Sequence, residues 1–250
     1  MTLLLCAATA RELAGLAPGF APPGLPPLER TGAGAAAAPW PEMRLWPLPL
    51  RRGRALCCLT GVGPLNAALA LGLALERAAA EGTPISAVCN AGLAGAFDLA
   101  AAPLRSLWLV REEIWPEYGL NDGRSVVAGA FGFPLWQPPE GAPVRDRLPL
   151  AGADALGTGA EAAVFPSCRS VTVAGVTASH ERAAGLRQSY GAELENMEGF
   201  AVAYACARAG LPCVEARCVS NKAGPRAGDE KDFAGALRAL AQVLPALNCN

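Results

Sequence analysis

The sequence predicts an α/β protein: a central sheet covered by helices on both faces. Three observations carry this. Apolar runs of strand length alternate with helical stretches along most of the chain, as in "CCLTGVGPLNAALALGLALERAAAEG" and "CVEARCVSN" followed by "DEKDFAGALRALAQVL". Glycines stand at several of the strand-to-helix junctions. With 250 residues and 52% hydrophobic composition the chain can bury a large core, and a single domain over 1–250 accounts for it.

The elements follow in order. "LLLCAA" (3–8) predicts a buried first strand and residues 10–16 a short helix. The start "MTLLLCAATA" ends in small residues as a secretory leader does, but no basic residue precedes its apolar run and Arg11 and Glu12 follow at once, which favours the strand. "APGFAPPGLPP" reads as a rigid proline-rich connection. Arg51, Arg52 and Arg54 around Gly53 separate "MRLWPLPL" from "ALCCLTG" and read as a hairpin turn. Next come a strand, a glycine turn, Pro64 at a first helical position, and a helix to about Ala80 closed by Gly82. Gly61 and Gly63 match part of a dinucleotide fingerprint, but Asn66 stands where the third glycine belongs and no acidic residue follows at the usual distance, so NAD is disfavoured. The backbone N–H groups at this helix start suit an anion, a water or a sugar hydroxyl.

"ISAVCNAGLAGAF" (85–97) predicts a second apolar strand running into a glycine turn, and "RSLWLVREEI" (105–114) another strand. Residues 115–160, with Trp115, Tyr118, Phe131, Phe133 and Trp136, read as a long loop region, either a surface excursion or a pocket lid. The tail restores the alternation: a strand at 170–178, a helix at 181–189, a strand ending near Met197, a strand at 213–221 and a last helix at 229–244. Glu198 then stands at a strand-to-helix junction.

Charge and cysteines exclude several classes. The chain has 21 basic and 22 acidic residues and a net charge of −1, which gives nucleic acid or an anionic membrane no electrostatic reason to bind. A small neutral or weakly anionic ligand fits better. No apolar run reaches the roughly 18 residues of a membrane span. Nine cysteines, among them the adjacent Cys57 and Cys58, form no CxxC, which argues against a disulfide framework or zinc site and for reduced thiols in the cytoplasm. His180 is the one histidine, and neither GxSxG nor HExxH accompanies it, so no metal is expected.

"ELENMEGFAVAYACARAGLP" followed by "ARCVSNKAG" resembles the signature of the nucleoside phosphorylase and nucleosidase superfamily. "CAATAREL" is similar to that family's first strand, "TGVGPLNAA" to its first glycine turn and "CNAGLAGAF" to its second; the segments stand in the family's order and leave out only 111–170. The resemblance implies a three-layer α/β/α fold with a mixed, partly barrel-like sheet. It also implies a metal-free, cofactor-free cleavage of a purine nucleoside. Glu12 then matches the general base, Met197 and Glu198 the ribose contacts, Gly92 a substrate contact in the second glycine turn, Asn221 the group beside the purine, and Ser179 and His180 residues flanking the base. Relatives commonly pair subunits, so a homodimer or higher homo-oligomer is expected.

Glycosidic cleavage develops positive charge on the sugar and negative charge on the leaving base. A carboxylate at Glu198 suits the ribose hydroxyls and the developing cation, and Met197 offers it a polarisable surface. Asn221 stands where adenine-specific relatives place aspartate; an amide donates to N7 or to a 6-oxo oxygen but cannot act as a general acid. "ENMEG" with "SN" instead of "SD" most resembles the futalosine hydrolase family, which releases hypoxanthine in an alternative menaquinone pathway. A purine nucleoside phosphorylase, a methylthioadenosine-type nucleosidase and a non-catalytic nucleoside-binding protein remain alternatives. For the aromatic carboxylate that futalosine carries at its 5' end, Phe97, Phe131, Phe133 and Trp136 are candidate walls, and no arginine can be assigned. Glu195 reads as part of a structural pair. Glu215 and Arg217 share a strand face, where each satisfies its neighbours.

Overall fold

Thr2–Ala7 is buried at all six positions, the burial of a strand covered on both faces. In a computed structural model, which describes residues 1–28, 40–50, 53–123, 125–225 and 230–249, this segment is strand β1. The N-terminal half continues with α1 (Ala10–Leu16), β2 (Leu45–Leu48), β3 (Arg54–Leu59), α2 (Pro64–Ala80), β4 (Ala87–Ala96) and β5 (Leu107–Ile114). Two short strands, β6 (Leu120–Asn121) and β7 (Val126–Val127), and β8 (Arg147–Pro149) occupy the middle. Then come β9 (Ser167–Thr172), α3 (His180–Tyr190), β10 (Leu194–Asn196), α4 (Gly199–Ala209), β11 (Cys213–Lys222), α5 (Phe233–Ala239) and α6 (Val243–Ala246).

The sheet is mixed, and part of it closes on itself. Strands run β10-β9-β5-β11-β4-β1-β3-β2, and β10 also pairs with β4 through Leu194 with Ala96 and Glu195 with Gly95. Five strands thus form a closed barrel, and β1, β3 and β2 extend from β4 as an open sheet. One face packs α1, α5 and α6 through Leu13, Leu16, Ala236, Leu240 and Leu244. The other packs α2 and α4 through Ala70, Leu71, Ala74, Val202 and Cys206, which completes the three layers.

Several local readings change. Gly92 and Gly95 lie inside the ten-residue β4 and not in a turn; a Cβ on Gly92 would collide with Glu12 Oε1 at 2.6 Å, and one on Gly95 would press on Asn221 Nδ2 at 3.2 Å. The strand expected at 170–178 ends at Thr172, and residues 173–179 form a loop. The last helix starts at Phe233, capped by Asp232, whose side chain accepts from Gly235 N at 2.7 Å. It breaks at a 3-10 turn over Leu240–Gln242, because Pro245 has no N–H for the carbonyl of Ala241. Strands β2 and β3 pair as the expected hairpin, while Arg51 and Arg52 of its turn lie outside the described residues.

The aromatic middle region is a surface excursion. Trp115 and Tyr118 stack at 5.8 Å, Tyr118 meets Phe131 at 5.7 Å and Phe131 meets Phe133 at 5.6 Å. Trp115 and Trp136 rest on Phe200 and Tyr204 of α4, so this cluster braces the outside of the helix.

Candidate active site

Most of the residues singled out by sequence converge on one cavity of about 330 Å³, a size that suits a small molecule. Thr9, Arg11 and Glu12 line it from α1 and its cap, Leu93, Ala94 and Gly95 from β4, and Glu195, Asn196, Met197 and Glu198 from the junction of β10 with α4. Ser220 and Asn221 of β11, Val176 and Thr177 of the loop after β9, Ala8, Val62, and Phe233 and Leu237 of α5 complete the wall.

Glu198 is buried and held from two sides. Its Oε1 accepts from Gly63 N at 3.0 Å, at the start of α2, and its Oε2 lies 3.8 Å from Arg217 Nη1. The helix start that sequence marked as an anion site therefore receives this protein's own carboxylate. Gly63 takes φ +97°, a backbone conformation open to glycine, to aim its N–H there. Burial raises the Glu198 pKa above its ordinary 4.5, with Arg217 and the Gly63 N–H opposing the shift. The backbone at this junction is tied down by Asn196, whose Oδ1 accepts from Glu198 N at 2.9 Å and Gly199 N at 2.7 Å.

Behind Glu198 lies a buried polar network. Arg217, 1% exposed, donates from Nε to Glu215 Oε1 at 2.8 Å. Burial disfavours its charge, but Glu215 and Glu198 outweigh this and raise the guanidinium pKa. Asn90 donates to Glu215 Oε2 at 3.1 Å, and Asn196 donates to Glu113 Oε1 at 2.6 Å. Thr172 Oγ1 donates to Glu113 Oε2 at 2.7 Å. Burial first and the charge of the neighbouring Glu215 second push the Glu113 pKa well above its ordinary 4.5, which favours its neutral form. Arg217 supplies the counter-charge to both Glu215 and Glu198. Gly199 is obligatory here, since a Cβ would run into Glu113 Oε1 and lie 2.6 Å from Glu215 Oε1.

Glu12 joins helix capping to the cavity. With Thr9 it forms a capping box: its Oε2 accepts from Thr9 N at 2.9 Å and Thr9 Oγ1 at 2.8 Å. Its Oε1 accepts from Leu93 N at 2.9 Å. Three donors on the roughly four acceptor sites of a carboxylate leave room for one more, such as a water. Gly92 makes this possible without lining the cavity: a Cβ there would sit 2.6 Å from Glu12 Oε1 and 3.0 Å from Arg217 Nη1.

Asn221 reaches the cavity by a strand irregularity. Between Val219 and Asn221 the pairing of β11 with β4 shifts register, and such a bulge re-aims the next side chain. Asn221 Nδ2 donates to Lys222 O and its Oδ1 accepts from Ser220 Oγ, both at 2.9 Å, which leaves one N–H and one lone pair for a ligand. Ser179 and His180, expected beside the purine, lie outside the cavity: Ser179 caps α3 by accepting from Arg182 N at 3.2 Å, and exposed His180 begins that helix. Val176 and Thr177 stand in their place because β9 ends early. Glu195 accepts from both Thr177 N and Thr177 Oγ1, the structural pairing expected of it, and also lines the cavity. Phe97, Phe131, Phe133 and Trp136 do not line it; Val62, Val176, Phe233 and Leu237 do.

Sequence reasoning missed Arg217 as the partner of Glu198. The only signal was an arginine inside the apolar strand "CVEARCVSN". The cysteines play no such part: burial pushes Cys57, Cys58 and Cys218 up to about 12, so none supplies a thiolate at neutral pH.

Residues 48–247 match the Phosphorylase superfamily. The chain belongs to this superfamily. Among its relatives is a futalosine hydrolase of Thermus thermophilus, 35% identical over 74% of this chain and 77% of the relative. The same fold occurs in a futalosine hydrolase mutant of Helicobacter pylori, with TM-score 0.70 and 18% identity over 99% of this chain and 98% of that one. It occurs equally in the 5'-methylthioadenosine/S-adenosylhomocysteine nucleosidase of Helicobacter pylori, with TM-score 0.70 and 18% identity over 99% and 97% of the two chains. In this superfamily chain the ordered segments recognised in the sequence, from the first strand to "VSN", all meet at the cavity.

The raised Glu113 pKa has a measurable consequence. Its folded pKa lies above the unfolded value, so its contribution to stability is fully present below the ordinary 4.5 and is lost as pH rises toward the folded value. Glu113→Gln removes this titration and forfeits the bond from Asn196. The variant's melting temperature relative to wild type should therefore climb as pH rises above the ordinary 4.5; parallel curves would mean that the Glu113 pKa is not raised.

Proposed function

We propose that the protein is an N-glycosyl hydrolase that cleaves futalosine to hypoxanthine and dehypoxanthine futalosine, a step of menaquinone biosynthesis by the futalosine pathway. The supporting observation is the convergence of Glu12, Glu198 and Asn221 on one cavity, with Arg217 fixing Glu198 from behind. The futalosine hydrolase relative supports the substrate.

The residues divide the work. Glu198 accepts the ribose hydroxyls and sets its negative charge against the developing cation, while Met197 packs on the sugar. A water on Glu12 attacks the anomeric carbon and passes its proton to the carboxylate as the new carbon–oxygen bond forms. The electron pair of the glycosidic bond leaves with the purine. Asn221 donates to N7 or the 6-oxo oxygen and so lowers the energy of the departing base, which solvent then protonates.

A phosphorylase would need cations for phosphate. Between 61 and 110 the only basic residues are Arg77, which donates to Met43 O at 2.8 Å, and Arg105, which lies 3.6 Å from Asp232, and neither lines the cavity. The nine cysteines are free and buried, which suits a reducing cytoplasm. We also assign self-association to the outer face of α2, where Leu65 is 86% and Leu69 55% exposed, next to Val62 at the cavity wall. Sedimentation should report a dimer or larger; a monomer at micromolar concentration removes that assignment.

Hypoxanthine release in phosphate-free buffer tests the reading, with inosine and methylthioadenosine in parallel. Rapid cleavage of futalosine is expected, and Asn221→Asp should erode its preference over the 6-amino substrate. Cleavage only with phosphate would move the protein to the phosphorylases, and no cleavage would favour a binding protein. Glu12→Gln keeps a side chain able to complete the capping box, so the fold should persist. Its kcat should fall by about 10²–10⁴ with little change in substrate affinity by calorimetry; equal activity would refute the base role.

A further inference from the structure

Helices α1 and α5 cross at the rim of the cavity, and the crossing is close. A Cβ on Gly15 would lie 2.5 Å from Leu237 O. One turn before Gly15 on the same face of α1 is Arg11, and one turn before Leu237 on α5 is Phe233. Arg11, Phe233 and Leu237 all line the cavity.

Arg11 is the one cation among the described residues that line the cavity, and among the described residues it makes no hydrogen bond or ion pair. The nearby carboxylates are already served: Glu12 by Thr9 and Leu93, Glu195 by Thr177, Glu198 by Gly63 and Arg217. Phe233 is 43% exposed, an unusual state for a phenyl ring on a helix that is packed against its neighbour. An uncommitted guanidinium beside an open aromatic face, at the mouth of a cavity whose inner wall presents ribose acceptors, matches an elongated ligand. That ligand carries an aromatic ring and then an anion beyond its sugar.

We infer that Arg11, Phe233 and Leu237 form the subsite for the 5' aromatic carboxylate, with the guanidinium binding the carboxylate and the two apolar side chains holding the ring. The inference rests on the futalosine reading and adds to it the residues that select for the 5' end. Guanidinium and carboxylate suit each other in charge and in planar, two-pronged geometry. The site is open to water, so the gain is modest, on the order of tenfold.

The test compares kcat/KM for futalosine with that for its methyl ester, in wild type, Arg11→Gln, Arg11→Lys and Phe233→Ala. Wild type should prefer the free acid by about tenfold, Arg11→Gln should lose that preference chiefly through KM, and Arg11→Lys should keep part of it. Phe233→Ala should raise KM for acid and ester alike. If wild type and Arg11→Gln prefer the acid equally, the substrate reading stands and the assignment of Arg11 falls. If wild type cleaves inosine but neither futalosine nor its ester, the substrate reading itself fails and takes the subsite with it. Arg11 is exposed, so circular dichroism of Arg11→Gln should match wild type, and a preserved fold with an unchanged acid-to-ester ratio is the overturning result.

Discussion

A single guanidinium organises this protein. Arg217 is fully buried on β11 between Glu215 and Glu198, and removing one member of such a set strands the others without a counter-charge, at a cost of about 3–5 kcal/mol. Through Glu198 the constraint passes to Gly63 and the start of α2; through Glu215 it passes to Asn90 on β4 and Glu113 on β5. Three of the five barrel strands and the two helices that meet at Glu198 thus share one electrostatic centre. Two glycines make the space for it. Gly92 admits Glu12 and the guanidinium, and Gly199 admits the carboxyl pair.

The arrangement also explains why the anion site at a helix start need not imply phosphate. Gly63 presents its N–H as a phosphate-binding loop would, yet the acceptor is Glu198. The carboxylate is thereby held in one orientation by a backbone donor and a cation while its remaining lone pairs face the cavity. The result is a carboxylate fixed at the cavity wall.

Reading the sequence in strands and turns recovers most of the fold, because a strand buried on both faces is a continuous apolar run and a capped helix carries its own punctuation. "LLLCAA", Pro64, Gly82 and the step from "LEN" to "GFAVAYACARA" all lie where their chemistry placed them. The errors have one physical character. Gly92 and Gly95 looked like a turn because glycine is common in turns, whereas in β4 they yield space to side chains from α1 and β11. Ser179 and His180 looked like base contacts because the strand before them was drawn too long, and its early end puts Val176 and Thr177 at the cavity.

By itself the sequence determined the alternation of elements and singled out, through short motifs, Glu12, Met197, Glu198 and Asn221, which the fold brings to one cavity. Only the tertiary structure decided that Arg217 serves Glu198, that Glu113 is buried beside Glu215, and that Arg11 faces the same cavity as Phe233. Each of these joins segments about 20 to 220 residues apart, and a charge's role depends on which charges surround it in space, which no local pattern records.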